Sequence, residues 1–233
     1  MAAEKLYLLP VWLGDAGGPE LMPPRNIAIA ARCRHFFCEH ERTARHMLRR
    51  LVPSIDLNAI ELHRLDKETS DAELDAMVAV LKQHDGAIVS EAGMPCIADP
   101  GARLVARAHA AGITVEPLTG PSSIMLALAA SGLNGQRFTF HGYLPREPHE
   151  RRQALTRIEQ DVRRTHGAHL FIETPYRNDA LLADILAIGQ PGTRLCLAVD
   201  LDQTGGSVST RTIAQWRAAA PTLGKRPCVF IIG

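Results

Sequence analysis

The run Ala87-Ile88-Val89, followed by Ser90-Glu91-Ala92-Gly93-Met94-Pro95-Cys96-Ile97-Ala98-Asp99-Pro100-Gly101, restricts the fold more than any other stretch of the chain. Three apolar residues in a row read as a short buried strand begun at Gly86. The loop that follows holds two glycines and two prolines, and Leu104, Val105 and Ala108 then mark a helix. Asp99 is read as the helix N-cap and Pro100 as its first residue. Strand, tight turn and helix in this order make half of a βαβ unit. In an open α/β sheet, ligands bind outside the carboxyl ends of the strands, so this junction is the first place to expect a site. The small residues Ala92 and Gly93 are expected to let a ligand approach the backbone closely.

The same alternation continues on both sides. Strands are expected at residues 6–10, 35–38, 60–65 and 113–117, with helices at 26–32, 43–51, 74–83 and 101–111 between them. Ser70 and Glu73 form a capping-box pattern, and Gly112 fits a helix C-cap. Residues 11–24, rich in glycine and proline, read as a loop. Alternating strands and helices imply a mainly parallel sheet. A second turn, Leu118-Thr119-Gly120-Pro121-Ser122-Ser123, marks a boundary, giving α/β domains at 1–118 and 119–233. In the second half, strands are expected at 138–143, 170–173, 195–199 and 228–232. Helices are expected at 124–131, 147–165, from Thr174-Pro175 onward, and at about 212–219, with a glycine- and serine-rich loop at 200–209.

A chain of 233 residues is long enough to bury a substantial core. Its formal net charge of +1 announces neither nucleic acid nor membrane. No apolar run approaches the roughly 20 residues of a membrane span, and the acidic Glu4 argues against a leader, so a cytoplasmic location is expected. The five cysteines are scattered and odd in number, which reads as reduced thiols. Cys33, His35, Cys38 and His40 have the ligand types of zinc but not the spacing of a zinc finger; core and surface roles are preferred and no metal is expected. Arg42, Arg45 and Arg49 share one helical face and are the best phosphate candidates, though weak ones. The arginines of residues 147–165 are interleaved with acids and read as a solvated face. There is no Gly-x-Ser-x-Gly elbow, no Gly-x-Gly-x-x-Gly and no Walker loop.

Residues 90–101 resemble the Ser-Asp-Ala-Gly-Thr-Pro-x-Ile-Ser-Asp-Pro-Gly motif of the tetrapyrrole (corrin/porphyrin) methylase superfamily. The nearest branch is the ribosomal RNA small-subunit methyltransferase I family, which methylates a cytidine 2′-hydroxyl. Further matches follow in order. Pro117-Leu118-Thr119-Gly120-Pro121 resembles Pro-Leu-Pro-Gly-Pro, and residues 138–145 resemble Phe-x-x-x-Gly-Phe-Leu-Pro. Glu173-Thr174-Pro175-Tyr176-Arg177 resembles Glu-Thr-Pro-His-Arg, and Glu39-His40-Glu41-Arg42 a degraded Glu-Asp-Thr-Arg.

The resemblance implies a two-domain class III methyltransferase fold, each domain an α/β sandwich with a mixed sheet, and S-adenosylmethionine folded into the cleft between them. It implies donor contacts, many through main chain, at Pro10 and Gly14; at Ser90, Glu91, Ala92, Gly93 and Pro95; at Ser122 and Ser123; and at Phe171, Ile172, Glu173 and Ala198. It implies a homodimer acting on ribosomal RNA or the small ribosomal subunit. Departures are Glu91 for the motif's first Asp, Pro10-Val11-Trp12-Leu13-Gly14-Asp15 for Pro-Thr-Pro-Ile-Gly-Asn, and Val199-Asp200-Leu201-Asp202-Gln203 for Arg-Glu-Leu-Thr-Lys. They keep two alternatives open: a methylase of tetrapyrroles or other small molecules, and a donor-binding protein without catalysis. No catalytic residue is assigned.

Overall fold

The computed structural model describes residues 4–233. Residues 1–3, part of the stretch searched for a leader, lie outside the described residues. The chain divides into two compact units, Met1–Ser122 and Ser123–Gly233.

The first unit is an open, doubly wound sheet. Its strands are β1 (Lys5–Leu9), β2 (His35–Cys38), β3 (Glu61–Arg64), β4 (Gly86–Val89) and β5 (Thr114–Pro117), in spatial order β3-β2-β4-β1-β5. Every pair is parallel, so the expected mixed sheet does not hold here. The cause is that a helix intervenes between each pair of successive strands, and such crossovers return the chain in the same direction. Helices α1 (Pro24–Arg32) and α2 (Glu41–Leu51) cover one face, where Ile29, Met47, Leu48 and Leu51 meet Phe36 and Val89. Helices α3 (Asp71–Leu81) and α4 (Ala102–Ala110) cover the other, packing Leu74, Leu81 and Leu104 on Phe37 and Ile88. Phe36 and Phe37 are fully buried on opposite faces; each contributes roughly 1.5–3 kcal/mol of burial. The capping box is formed: Ser70 accepts from the Glu73 amide, and Glu73 Oε2 accepts from the Ser70 amide at 2.7 Å.

The second unit begins with α5 (Ser123–Ser131). Its strands β6 (Phe138–Tyr143), β7 (Ala168–Ile172), β8 (Arg194–Val199), β9 (Ser207–Thr212) and β10 (Cys228–Ile232) lie in the order β6-β7-β10-β8-β9. Only β6 and β7 run parallel; the other pairs are antiparallel, so this sheet is mixed as expected. Helix α5 covers one face through Ile124, Ala127 and Leu128. Helices α6 (Pro148–Thr165), α7 (Asn178–Ile188) and α8 (Ile213–Ala218) cover the other. Strand β9 replaces the latter part of the expected loop at 200–209. Its Ser-Val-Ser-Thr-Arg-Thr sequence has only one apolar residue, and it forms because β8 offers a full antiparallel partner from Val199 to Arg194.

Candidate functional site

The loops after β1, β4 and β5 leave the same end of the first sheet and are tied to one another. Val11 and Gly93 exchange backbone hydrogen bonds of 3.0 and 3.1 Å, an isolated antiparallel bridge that fastens the β1 loop to the β4 loop. The Ser90 hydroxyl donates to Gly93 O at 2.9 Å, so its side chain is spent closing its own turn. The turn after β5 is clamped as well. Buried Asn26 donates from Nδ2 to Thr119 O at 2.8 Å, and a Cβ on Gly120 would lie 2.3 Å from Pro10 Cγ.

Gly93 has φ +73°, and the direction a side chain would take is filled by Leu13 Cδ2 at 3.0 Å, with Pro121 O at 3.5 Å. The requirement for glycine there comes from its own backbone and from Leu13. The residues of this corner open to solvent are Glu91 and Ala92; Pro95 and Pro10 are buried and Gly14 is exposed. Glu91 Oε1 lies 3.1 Å from His40 Nδ1, which joins the degraded Glu39-His40 motif to the central turn.

The rest of the loop is strained. Cys96 and Ala98 both adopt left-handed conformations, φ 68° and 60°, each costing on the order of 1 kcal/mol. Gly101, at φ +131°, is the N-cap of α4, and a Cβ on it would meet Cys96 Sγ at 2.6 Å. This corrects the expected cap: the helix begins at Ala102, and Asp99 stands outside it. Among the described residues Asp99 forms no hydrogen bond. Its carboxyl is pushed up to about 6, first by burial and then by the negative charges of Glu39 and Glu91. Together these residues line a small hollow beside β2 and β4. A carboxyl titrating near neutrality in a strained loop at the strand ends marks a functional candidate. Sequence reading passed over it because an Asp before Pro-Gly looked like a helix cap.

In the second unit the expected residues divide. Phe171 is fully buried, stacked on Phe230 with ring centroids 5.8 Å apart, and Ala198 is buried in the middle of β8. Their side chains belong to the core. Ile172 ends β7, Ser123 opens α5, and Glu173 follows β7 with its side chain wholly buried. Glu173 Oε1 accepts from the Thr174 amide at 2.6 Å and from Arg177 Nη2 at 2.5 Å. Its Oε2 has no hydrogen-bond partner among the described residues. A buried acceptor in that state is costly, and a donor from a ligand would satisfy it. The loop after β8 is compact rather than slack: Asp200 and Asp202 have positive φ, and a Cβ on Gly206 would lie 2.2 Å from Asp200 O. Sequence reading also gave no sign of a hollow of about 530 Å³ between β6 and α6. On its wall His141 Nε2 meets His169 Nδ1 at 2.9 Å, and His169 Nε2 meets Asp161 Oδ2 at 3.2 Å.

Residues 16–200 match the family model described as Tetrapyrrole (Corrin/Porphyrin) Methylases. Among curated proteins, the chain is 35% identical over 184 residues to a Ribosomal RNA small subunit methyltransferase I of Micromonospora olivasterospora, covering 78% of this chain and 55% of that one. It is 30% identical over 233 residues to the Vibrio cholerae protein of the same name, covering 99% and 77%. The chain spans about half to two thirds of the length of the first three such relatives. Among solved structures, the methyltransferase CobJ superposes with a TM-score of 0.63 at 17% identity, covering 98% of this chain and 92% of that one, a likeness of fold.

Proposed function

Because the chain belongs to the tetrapyrrole (corrin/porphyrin) methylase family, we propose that it transfers a methyl group from S-adenosylmethionine to a ribose 2′-hydroxyl of ribosomal RNA. The observation that carries this reading is the run of relatives bearing one name, Ribosomal RNA small subunit methyltransferase I, at 30–39% identity. The resemblance adds a homodimer and a cytoplasmic location. Among the described residues no helix is long and apolar enough to cross a membrane.

The donor set suits the methyl donor, which carries a sulfonium and an ammonium. Glu39, Glu91 and Asp99 give the strand ends of the first unit a negative potential, which favours a cation and repels phosphate. In the second unit, the unpartnered Glu173 Oε2 is an acceptor for a hydroxyl or amine. The residues offered as donor contacts are the thirteen named from the sequence, with Ser90, Phe171 and Ala198 acting through main chain.

When bound, the donor supplies an electrophilic methyl carbon on a sulfonium leaving group. Displacement by the acceptor oxygen would form a C–O bond as the C–S bond breaks, the electron pair of the broken bond leaving with sulfur. Alignment of oxygen, carbon and sulfur supplies most of the acceleration. The hydroxyl proton must leave, and Asp99 has the charge state and proton affinity to take it at neutral pH. Arg42, Arg45 and Arg49, exposed on α2, are the candidates we offer for RNA phosphate in the first unit.

A second reading, a small uncharged or cationic acceptor, is favoured by the same acidic residues. The two separate in one experiment: labelled methyl transfer to ribosomal RNA and small subunits from a strain lacking this protein, with the modified nucleotide mapped. A 2′-O-methyl ribose carrying the label supports the first reading. No label in RNA, with label in a tetrapyrrole or other small acceptor, refutes it. For an RNA acceptor the affinity also falls steeply with salt.

A further inference from the structure

We propose that His35, Glu61 and His63 form a binding site for a single divalent transition-metal ion of the zinc class, at the opposite end of the first sheet from the strained loop. Strands β2 and β3 pair in parallel with His35 beside Glu61 and Phe37 beside His63. Alternate residues of a strand share a face, so this register sets His35, Glu61 and His63 on one face. His35 Nδ1 lies 3.2 Å from His63 Nε2 and 3.6 Å from Glu61 Oε2. All three ligand atoms lie within 4.8 Å of one another, and no other such trio occurs among the described residues. A tetrahedral zinc ion with bonds of about 2.0–2.2 Å holds its ligand atoms about 3.3–3.6 Å apart, close to the 3.2 and 3.6 Å that separate His35 Nδ1 from the other two ligand atoms.

The rings are held in place by stacking. His84 lies against His35 with centroids 4.9 Å apart, and Phe37 lies against His63 at 5.0 Å. Packing that fixes the imidazoles lowers the ordering cost of binding. His35 is buried, whereas the Glu61 side chain is 69% exposed, so the trio is open to solvent on the Glu61 side. Two imidazoles and one carboxylate leave the fourth position to water. The ion would join edge strand β3 to β2, a stabilising role at a margin with no further strand to pair. The thiols next to His35 in sequence take no part. Cys33 and Cys38 pack in the core on the other face, with Phe36. From the spacing of Cys33, His35, Cys38 and His40 no metal was expected; the sheet instead brings His35 to Glu61 and His63 of the next strand.

The test uses the full chain, stripped with a chelator and dialysed. Zinc is titrated by calorimetry, and cobalt(II) by its ligand-field absorption, which reports four-coordinate nitrogen and oxygen ligation. One ion per chain is expected. His63→Phe, which keeps a ring against Phe37, and Glu61→Gln, at an exposed position, are each expected to weaken binding about 100-fold or more. Cys33→Ser is expected to leave it unchanged. Absence of binding, a sulfur-to-cobalt charge-transfer band, or equal affinity in the Glu61→Gln and wild-type proteins overturns the proposal.

Discussion

Replacing Asp99 by Asn separates the two consequences of its environment. The carboxyl is pushed up to about 6 in the folded chain from an ordinary 3.8. The difference of about 2 units is a ceiling of about 3 kcal/mol against the folded state whenever the group is ionised in both states. Asp99 is only partly buried, and solvent screening brings the expected figure to about 1–2 kcal/mol. Above pH 6 the ionised carboxyl costs that amount; below 3.8 it is protonated in folded and unfolded chains alike and costs nothing. Asp99→Asn is therefore expected to stabilise the protein by about 1–2 kcal/mol at pH 7.5, the gain shrinking to near zero by about pH 4. Since Asp99 forms no hydrogen bond among the described residues, the amide breaks none.

The assay is urea unfolding of wild type and variant across that pH range. Methyl transfer should move the other way and fall by about 10²–10⁴-fold, as expected when a proton acceptor is removed. A stabilisation independent of pH would mean that packing rather than charge is responsible. A destabilised variant at pH 7.5 would refute the electrostatic reasoning outright. A variant of undiminished activity would dismiss Asp99 as the base and leave its charge without a catalytic use.

Gly120→Ala should cost about 2–3 kcal/mol in unfolding experiments, because the added Cβ meets the Pro10 ring at 2.3 Å and a proline ring cannot rotate away; a cost under about 0.5 kcal/mol would show that the two turns are not pressed together. Gly93→Val, strained at φ +73° and crowding Leu13, should lower stability and donor affinity together; calorimetry showing unchanged donor affinity would remove this corner from the pocket. Glu173→Gln should retain the fold but weaken donor binding roughly tenfold, and equal affinity would leave its unpartnered oxygen without a ligand. His141 and His169 are both held below the ordinary 6.5, mainly by burial, so the unfolded chain takes up protons that the folded chain refuses. Stability should fall as pH drops below about 6.5, less steeply in a His141→Gln variant, and an unchanged slope would free the pair from this role.

Much of the fold was legible because local signals agreed with global ones. Ser70 and Glu73 capped a helix, Gly112 and Gly132 took left-handed backbone after helices, and apolar runs became buried strands. The misses had physical causes. Strand β9 is polar, and only its partner β8 makes it a strand. The motif pointed to the strand ends as a candidate site but not to which groups remain available there. Ser90 is spent on its own turn, Gly93 faces Leu13, and Phe171 and Ala198 are core, all consequences of tertiary packing that no window of residues reveals.

What packing adds explains why the central motif combines strain with charge. Two left-handed non-glycine residues and a carboxyl kept from full solvation all oppose folding, and all lie between Gly93 and Gly101. The parallel sheet beneath, clamped by Asn26 on Thr119 and by the Val11–Gly93 bridge, is what holds them there. A loop free to relax would turn Asp99 toward water and return its carboxyl to the ordinary range. The rigid scaffold thus keeps an acid near neutral proton affinity at the end of β4, where we propose that the methyl donor binds.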